Sequence, residues 1–234
     1  MKLIFIAMFT FMFMLESLSA NNIIGSIKKV NGNVKVKHEG SIKKSKVKLD
    51  YEISSGDLIV SARDASTVIA LADGSILALS ESSSIHFKSL TNAEQFEGKI
   101  YYKITSRDAK SSLKIKTPFA IIGIKGTNFV VDASQNKAII LKEGLIGIRS
   151  LKEEFNLYRK KVLSEYEEYK RSQMSEYEKY KRAPGAYELP VQTKEFDLEA
   201  GNSVTFNENR VNEDALTQEN DSDFEYFETL INAE

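Results

Sequence analysis

The chain has 234 residues, of which 42% are hydrophobic and 28% charged, and its formal net charge is −1. That balance excludes wholesale disorder and leaves room for one good-sized core with additions. The absence of cysteine excludes disulfides, a lipidated cysteine and cysteine-based metal sites.

The first element is a leader. Met1 and Lys2 carry positive charge, Leu3 to Leu15 is almost unbroken apolar sequence, and Ser17, Ser19 and Ala20 are small. This order predicts a cleavable export signal over residues 1–20, because the apolar run is shorter than the ~20 residues that span a bilayer. The expected mature protein is periplasmic or secreted, cut near Ala20.

From residue 21 to 150 the pattern has period two. Val34, Val36 and His38 alternate with Lys35 and Lys37, and Val47, Leu49, Tyr51 and Ile53 alternate with Lys48, Asp50 and Glu52. Turn residues separate these runs at Asn31-Gly32, Ser55-Gly56-Asp57, Asp73-Gly74-Ser75, Glu97-Gly98 and Glu143-Gly144. Thr67 to Ala72 and Ile76 to Leu79 are apolar throughout and predict strands buried on both faces. Pro118 is expected at a strand start, where no ladder donor is needed. The many lysines of this region are expected to keep strand edges soluble and unpaired.

At Leu151 the period changes. Leu151, Phe155, Tyr158, Val162, Tyr166, Tyr169, Gln173, Tyr177 and Tyr180 follow at steps of three or four, and no glycine or proline interrupts the run before Arg182. The heptapeptide beginning at Ser164 recurs in near-identical form at Ser175, eleven residues later, a period of about 3.67 residues per turn. These observations predict an inserted amphipathic helix over 151–183 whose tyrosines Tyr158, Tyr166, Tyr169, Tyr177 and Tyr180 form one face. That face would serve packing, self-association or a foreign partner. Residues 184–207 then return to period two as strands completing the β-domain, and 208–234 reads as an acidic tail closed by an amphipathic patch of Phe224, Tyr226, Phe227, Leu230 and Ile231, the spacing of a short helix. The predicted fold is mainly β, an antiparallel or solenoid-like β-domain carrying a long inserted helix.

Catalytic constellations are not found. His38 and His86 each sit in strand-like alternation, and no nucleophile elbow, phosphate loop or dinucleotide fingerprint is present. Gly123 to Thr127 lacks the spacing of a phosphate loop, and Asp221 with Asp223 lacks the calcium-loop glycine. The expectation is a protein without catalytic residues, cofactor, bound metal or small-molecule substrate, and without a nucleic-acid partner. A cell-wall or carbohydrate-binding surface built from lysine-rich strands with Tyr101 and Tyr102 is the alternative.

Three segments carry a family resemblance: Leu71-Ala-Asp-Gly-Ser-Ile-Leu-Ala-Leu79, Lys116-Thr-Pro-Phe-Ala-Ile-Ile-Gly-Ile-Lys-Gly-Thr-Asn-Phe-Val130 and Leu141-Lys-Glu-Gly-Leu-Ile-Gly-Ile148. In this order and spacing they resemble the FecR domain, with weaker agreement from Gly25 to Gly201. The residues that carry it are Asp73, Gly74, Ser75, Thr117, Pro118, Ala120, Gly126, Thr127, Phe129 and Gly144. They read as fold specification, since Gly74, Gly126 and Gly144 fall where strands turn or pack closely.

The resemblance implies a periplasmic protein-interaction module, sensory or scaffolding, in envelope signalling. Its partner would be an envelope protein, or a second copy engaged through the helix. In the type member a cytoplasmic segment regulates a sigma factor and the periplasmic domain senses an outer-membrane transporter. No such segment precedes the leader here, so a stand-alone module is expected.

Overall fold

The computed structural model describes residues 23–105, 112–124, 126–159 and 190–232. The first half of the chain forms β1 (Ile23–Asn31), β2 (Val34–Lys37), β3 (Ser45–Lys46), β4 (Glu52–Ser54), β5 (Leu58–Ser61), β6 (Ser66–Leu71), β7 (Ile76–Leu79), β8 (Ser84–Ser89), β9 (Asn92–Glu97) and β10 (Lys99–Lys103). The second half forms β11 (Leu113–Lys116), β12 (Ile121–Ile124), β13 (Asn128–Asp132), β14 (Ala138–Glu143), β15 (Leu145–Arg149), β16 (Phe155–Arg159), β17 (Val191–Thr193), β18 (Glu195–Glu199), β19 (Asn202–Asn207), β20 (Arg210–Ala215) and helix α1 (Gln218–Asn232).

The strands pair into two sheets, and the chain crosses repeatedly from one to the other. The first sheet has the order β17-β16-β20-β19-β14-β13-β10-β7-β6-β1-β4, the second β18-β15-β12-β11-β9-β8-β5-β2-β3. Pairing is antiparallel apart from β9 with β11 and β16 with β20. Inward residues of both sheets, among them Ile27, Leu77, Tyr102 and Phe129 of the first and Ile59, Ile85, Ile115, Ile122 and Ile146 of the second, share a single buried core.

The centre of the first sheet is apolar on its other face too. Val68, Ala78, Tyr101, Val130 and Ile140 stand in one register row across β6, β7, β10, β13 and β14. Phe224 and Phe227 of α1 cover that row. This explains why β6 and β7 are apolar at successive positions, as expected for strands buried on both sides. Burying the two phenylalanines contributes about 1.5–3 kcal/mol each. Lys99 donates to both oxygens of Asp223 at 2.8 Å, Lys142 pairs with Glu228 at 2.8 Å, and Lys29 donates to the Ile231 carbonyl at 2.7 Å near the helix C-terminus.

Several expectations need correction. Residues 210–215 are strand β20 rather than loose acidic tail, and the amphipathic patch expected as a short helix lies in α1, which is docked on the sheet. The predicted helix does not begin at Leu151, because Phe155–Arg159 is strand β16, with Phe155 and Leu157 buried on alternate positions. The rest of that prediction lies outside the described residues. Residues 47–53 are not one strand, since the chain turns at Asp50 (φ 57°) before β4. Pro118 stands in the turn between β11 and β12 rather than at a strand start.

Candidate interaction surface

The residues that carry the family resemblance are spent on turns and core. Asp73 accepts from the Ser75 amide at 3.1 Å and from its hydroxyl at 2.9 Å, an Asx turn that lets Gly74 take φ 83°. Thr105, just past β10, donates its amide to the Ser75 hydroxyl at 3.2 Å, so the β6–β7 turn is tied to the neighbouring strand. Thr117 closes the next turn: its amide donates to the Ala120 carbonyl at 2.8 Å, and its hydroxyl accepts from the Ala120 amide at 2.9 Å. Pro118 suits this turn because it needs no donor there.

Gly126 and Thr127 form the floor on which Gly144 turns. A Cβ at Gly144 would lie 2.6 Å from Thr127 Cγ2 and 2.7 Å from the Gly126 carbonyl oxygen, and φ there is 92°. Phe129 is fully buried against Tyr102.

The tyrosine face is mostly beyond reach. Tyr158 lies on β16 with the Arg210 guanidinium 4.2 Å above its ring, whereas Tyr166, Tyr169, Tyr177 and Tyr180 lie outside the described residues. Tyr101 and Tyr102, expected at the surface in the carbohydrate-binding alternative, are 1% and 0% exposed. Consecutive strand residues face opposite ways, and this strand is covered on both faces, so neither ring reaches solvent.

His38 is not part of the strand alternation either. β2 ends at Lys37, and the imidazole sits 2.8 Å by Nδ1 from Asp57 Oδ1 and 3.2 Å by Nε2 from the Tyr51 hydroxyl. Asp57 is buried, and its other oxygen accepts from the Ser54 amide at 3.0 Å. Partial burial, followed by the Asp57 charge and hydrogen bond, pushes the Tyr51 phenol up to about 12. The phenol is therefore a neutral donor near pH 7, and the trio ties the β2–β3 connection to the Gly56-Asp57 turn. Among the described residues no group of three or more His, Cys, Asp or Glu side chains is assembled to hold a metal. None of their helices is long and apolar enough to cross a membrane.

What the sequence did not single out is an open groove of about 500 Å3 on the outer face of the second sheet, lined by Lys114, Ile121, Gly123, Gly147, Arg149 and Asp197 among others. Its floor is a register row in which Gly123 faces Gly147 and Gly147 faces Asp197, with Lys114 on the far side of Gly123. A Cβ would find nothing nearer than 3.9 Å at Gly123 and 3.5 Å at Gly147, and neither has positive φ. The fold itself does not call for glycine at either place. Two facing glycines in mid-strand leave bare backbone for something else to approach.

The groove is rimmed by charge. Arg149 donates through Nε and Nη2 to Glu195 at 3.1 and 2.9 Å, and beyond the lining, on neighbouring β9, Glu94 is held below the usual carboxylate range by hydrogen bonds from Lys116 and then Lys88. Leu145, 52% exposed, lies two residues along β15 from Gly147 on the same face. The outer edge strand β18 carries Glu195, Asp197 and Glu199 outward, which discourages edge pairing and leaves the face as the usable surface.

Residues 57–146 match the FecR protein family. That segment is similar to a FecR domain. Lys114, Ile121 and Gly123 of the groove belong to the matched segment, while Gly147, Arg149 and β18 follow it. The chain is similar to two crystal structures of a candidate anti-sigma factor from Parabacteroides distasonis ATCC 8503, at 1.65 and 2.50 Å resolution. They share 12% and 13% identity with TM-scores of 0.48 and 0.46, over 71% and 68% of this chain. This chain spans 63% and 59% of theirs. No curated protein matches it.

Proposed function

We propose that the protein is an exported, non-enzymatic FecR-type recognition module of the cell envelope, which binds a protein partner across the outer face of its second sheet as part of a signalling pathway. The observation that carries this reading is the Gly123–Gly147 pair. The glycines at turns are explained by the fold, and these two are not, so a partner's close approach gives them a reason. Export and periplasmic location rest on the leader-like residues 1–20, and the signalling role rests on the FecR domain.

A groove with a backbone floor, one exposed leucine and the Arg149–Glu195 ion pair on its rim fits an extended peptide segment better than a small molecule. The reading is tested by crosslinking in intact cells from a photoreactive residue at Lys114, with mass spectrometry of whatever is attached. A distinct envelope protein is the expected product.

A further inference from the structure

The β2–β3 connection carries a second surface of different chemistry. Residues 35–48 hold six lysines, Lys35, Lys37, Lys43, Lys44, Lys46 and Lys48, and one acid, Glu39. Glu39 folds back against Gly56. None of the six lysines forms an ion pair with a described residue, although Lys28, Lys88, Lys99, Lys116 and Lys142 all do.

Two features go beyond an edge kept soluble by charge. Lys35 and Lys46 are direct partners in the β2–β3 register, and like charges placed opposite one another are destabilising. At the apex, next to Lys43 and Lys44, Ile42 is 97% exposed. The apex is held in shape: the Ser41 amide donates to the His38 carbonyl at 3.0 Å, the Ser41 hydroxyl donates to the Lys43 carbonyl at 3.1 Å, and Asp57 anchors the His38 ring. An isoleucine is thus presented to solvent on a braced, strongly cationic hairpin.

We infer that this hairpin docks on an anionic phospholipid bilayer, with Ile42 entering the headgroup–acyl boundary while the lysines meet the lipid phosphates. The charge calls for an anionic partner and would be relieved by one. Among polyanions, a bilayer is the one that also offers an apolar layer directly beneath its charges, which is what a fully exposed isoleucine requires. A nucleic acid or soluble polysaccharide would leave Ile42 in water, and residues 35–48 hold no Phe, Tyr or Trp to stack on bases, their one aromatic ring, His38, being held by Asp57 and Tyr51. This surface is independent of the groove, so the two proposals fail separately.

Because the chain has no cysteine, Ile42→Cys in the full chain can carry a single environment-sensitive fluorophore. Vesicles of phosphatidylglycerol and phosphatidylcholine should shift its emission to the blue, the shift should fade as salt is raised, and vesicles of phosphatidylcholine alone should leave it aqueous. Adding Lys43→Gln and Lys44→Gln should raise the lipid needed by roughly 25-fold, about fivefold per lysine. The same label at Glu199→Cys, on the opposite edge strand of that sheet, should stay aqueous, which separates docking by the hairpin from tethering by the leader. An aqueous signal at position 42 on the anionic vesicles, an equal shift on both vesicle types, or capture by soluble DNA with the label still aqueous would each overturn the proposal.

Discussion

Tyr102 stacks on Phe129 with ring centroids 4.9 Å apart and planes 9° from parallel, and its hydroxyl donates to Gln95 Oε1 at 2.8 Å. Gln95, on the other sheet, returns two hydrogen bonds, to the Gly98 carbonyl at 2.9 Å and the Val131 carbonyl at 3.1 Å. The sheets are therefore joined by a satisfied polar bridge inside an apolar core. Tyr102→Phe keeps the stack and leaves Gln95 Oε1 buried without a donor, so it should cost about 1–3 kcal/mol in denaturant unfolding. Replacing Gln95 as well should cost less than the sum of the two single changes.

The same residue makes stability depend on alkaline pH. Burial raises the Tyr102 phenol well above its ordinary value of 10.0, and burial with the Glu228 charge pushes Tyr101 up to about 12. The unfolded chain gives up these protons above about pH 10 while the folded chain holds them. The stabilisation is complete below pH 10 and is lost as pH rises from there toward the folded values. Each such tyrosine should steepen the loss by about 1.4 kcal/mol per pH unit. Unfolding titrations from pH 8 to 12 should show a shallower decline in Tyr102→Phe.

Helix α1 is held mainly by two rings. Phe227→Ala removes a fully buried side chain stacked on Tyr101 at 5.7 Å, and should cost about 3–5 kcal/mol. Limited proteolysis should then cut within residues 216–232 before the sheets are attacked. Uniform resistance along the chain would show that the helix is fixed by its ion pairs instead.

Glycines in one strand pair should separate into two kinds. Gly144→Ala places a Cβ against Thr127 and Gly126 at positive φ and should lose at least 1–3 kcal/mol from backbone strain. Gly147→Val, three residues on, has room and ordinary φ, and a β-branched residue suits a strand. Thermal unfolding should leave it at or slightly above the parent.

Much of this architecture is legible in the sequence. The double-faced burial of β6 and β7 follows from their continuous apolar runs, and Gly74, Gly98 and Gly144 fall at turns with positive φ as the hairpin spacing requires. The spacing of Phe224, Phe227 and Ile231 marks a short C-terminal helix, but its docking was harder to read, because its acids are matched by Lys99 and Lys142, 124 and 86 residues away. A local signal was present in Thr217 and Asn220, whose reciprocal hydrogen bonds cap the helix. Phe155 and Tyr158 fit helical spacing and Phe155 with Leu157 fit a strand, so five residues could not decide between the periods. The groove was invisible because the reason Gly123 and Gly147 stand out is the space around them. That space exists only once β12 and β15 are paired.

The central claim is tested most directly by comparing the in-cell crosslink from Lys114 in the parent chain and in Gly147→Val. A side chain on the groove floor should abolish attachment to the partner protein while the purified variant unfolds at an unchanged temperature. An undiminished crosslink in that variant, or a parent chain that attaches to no other protein, would contradict recognition through this face.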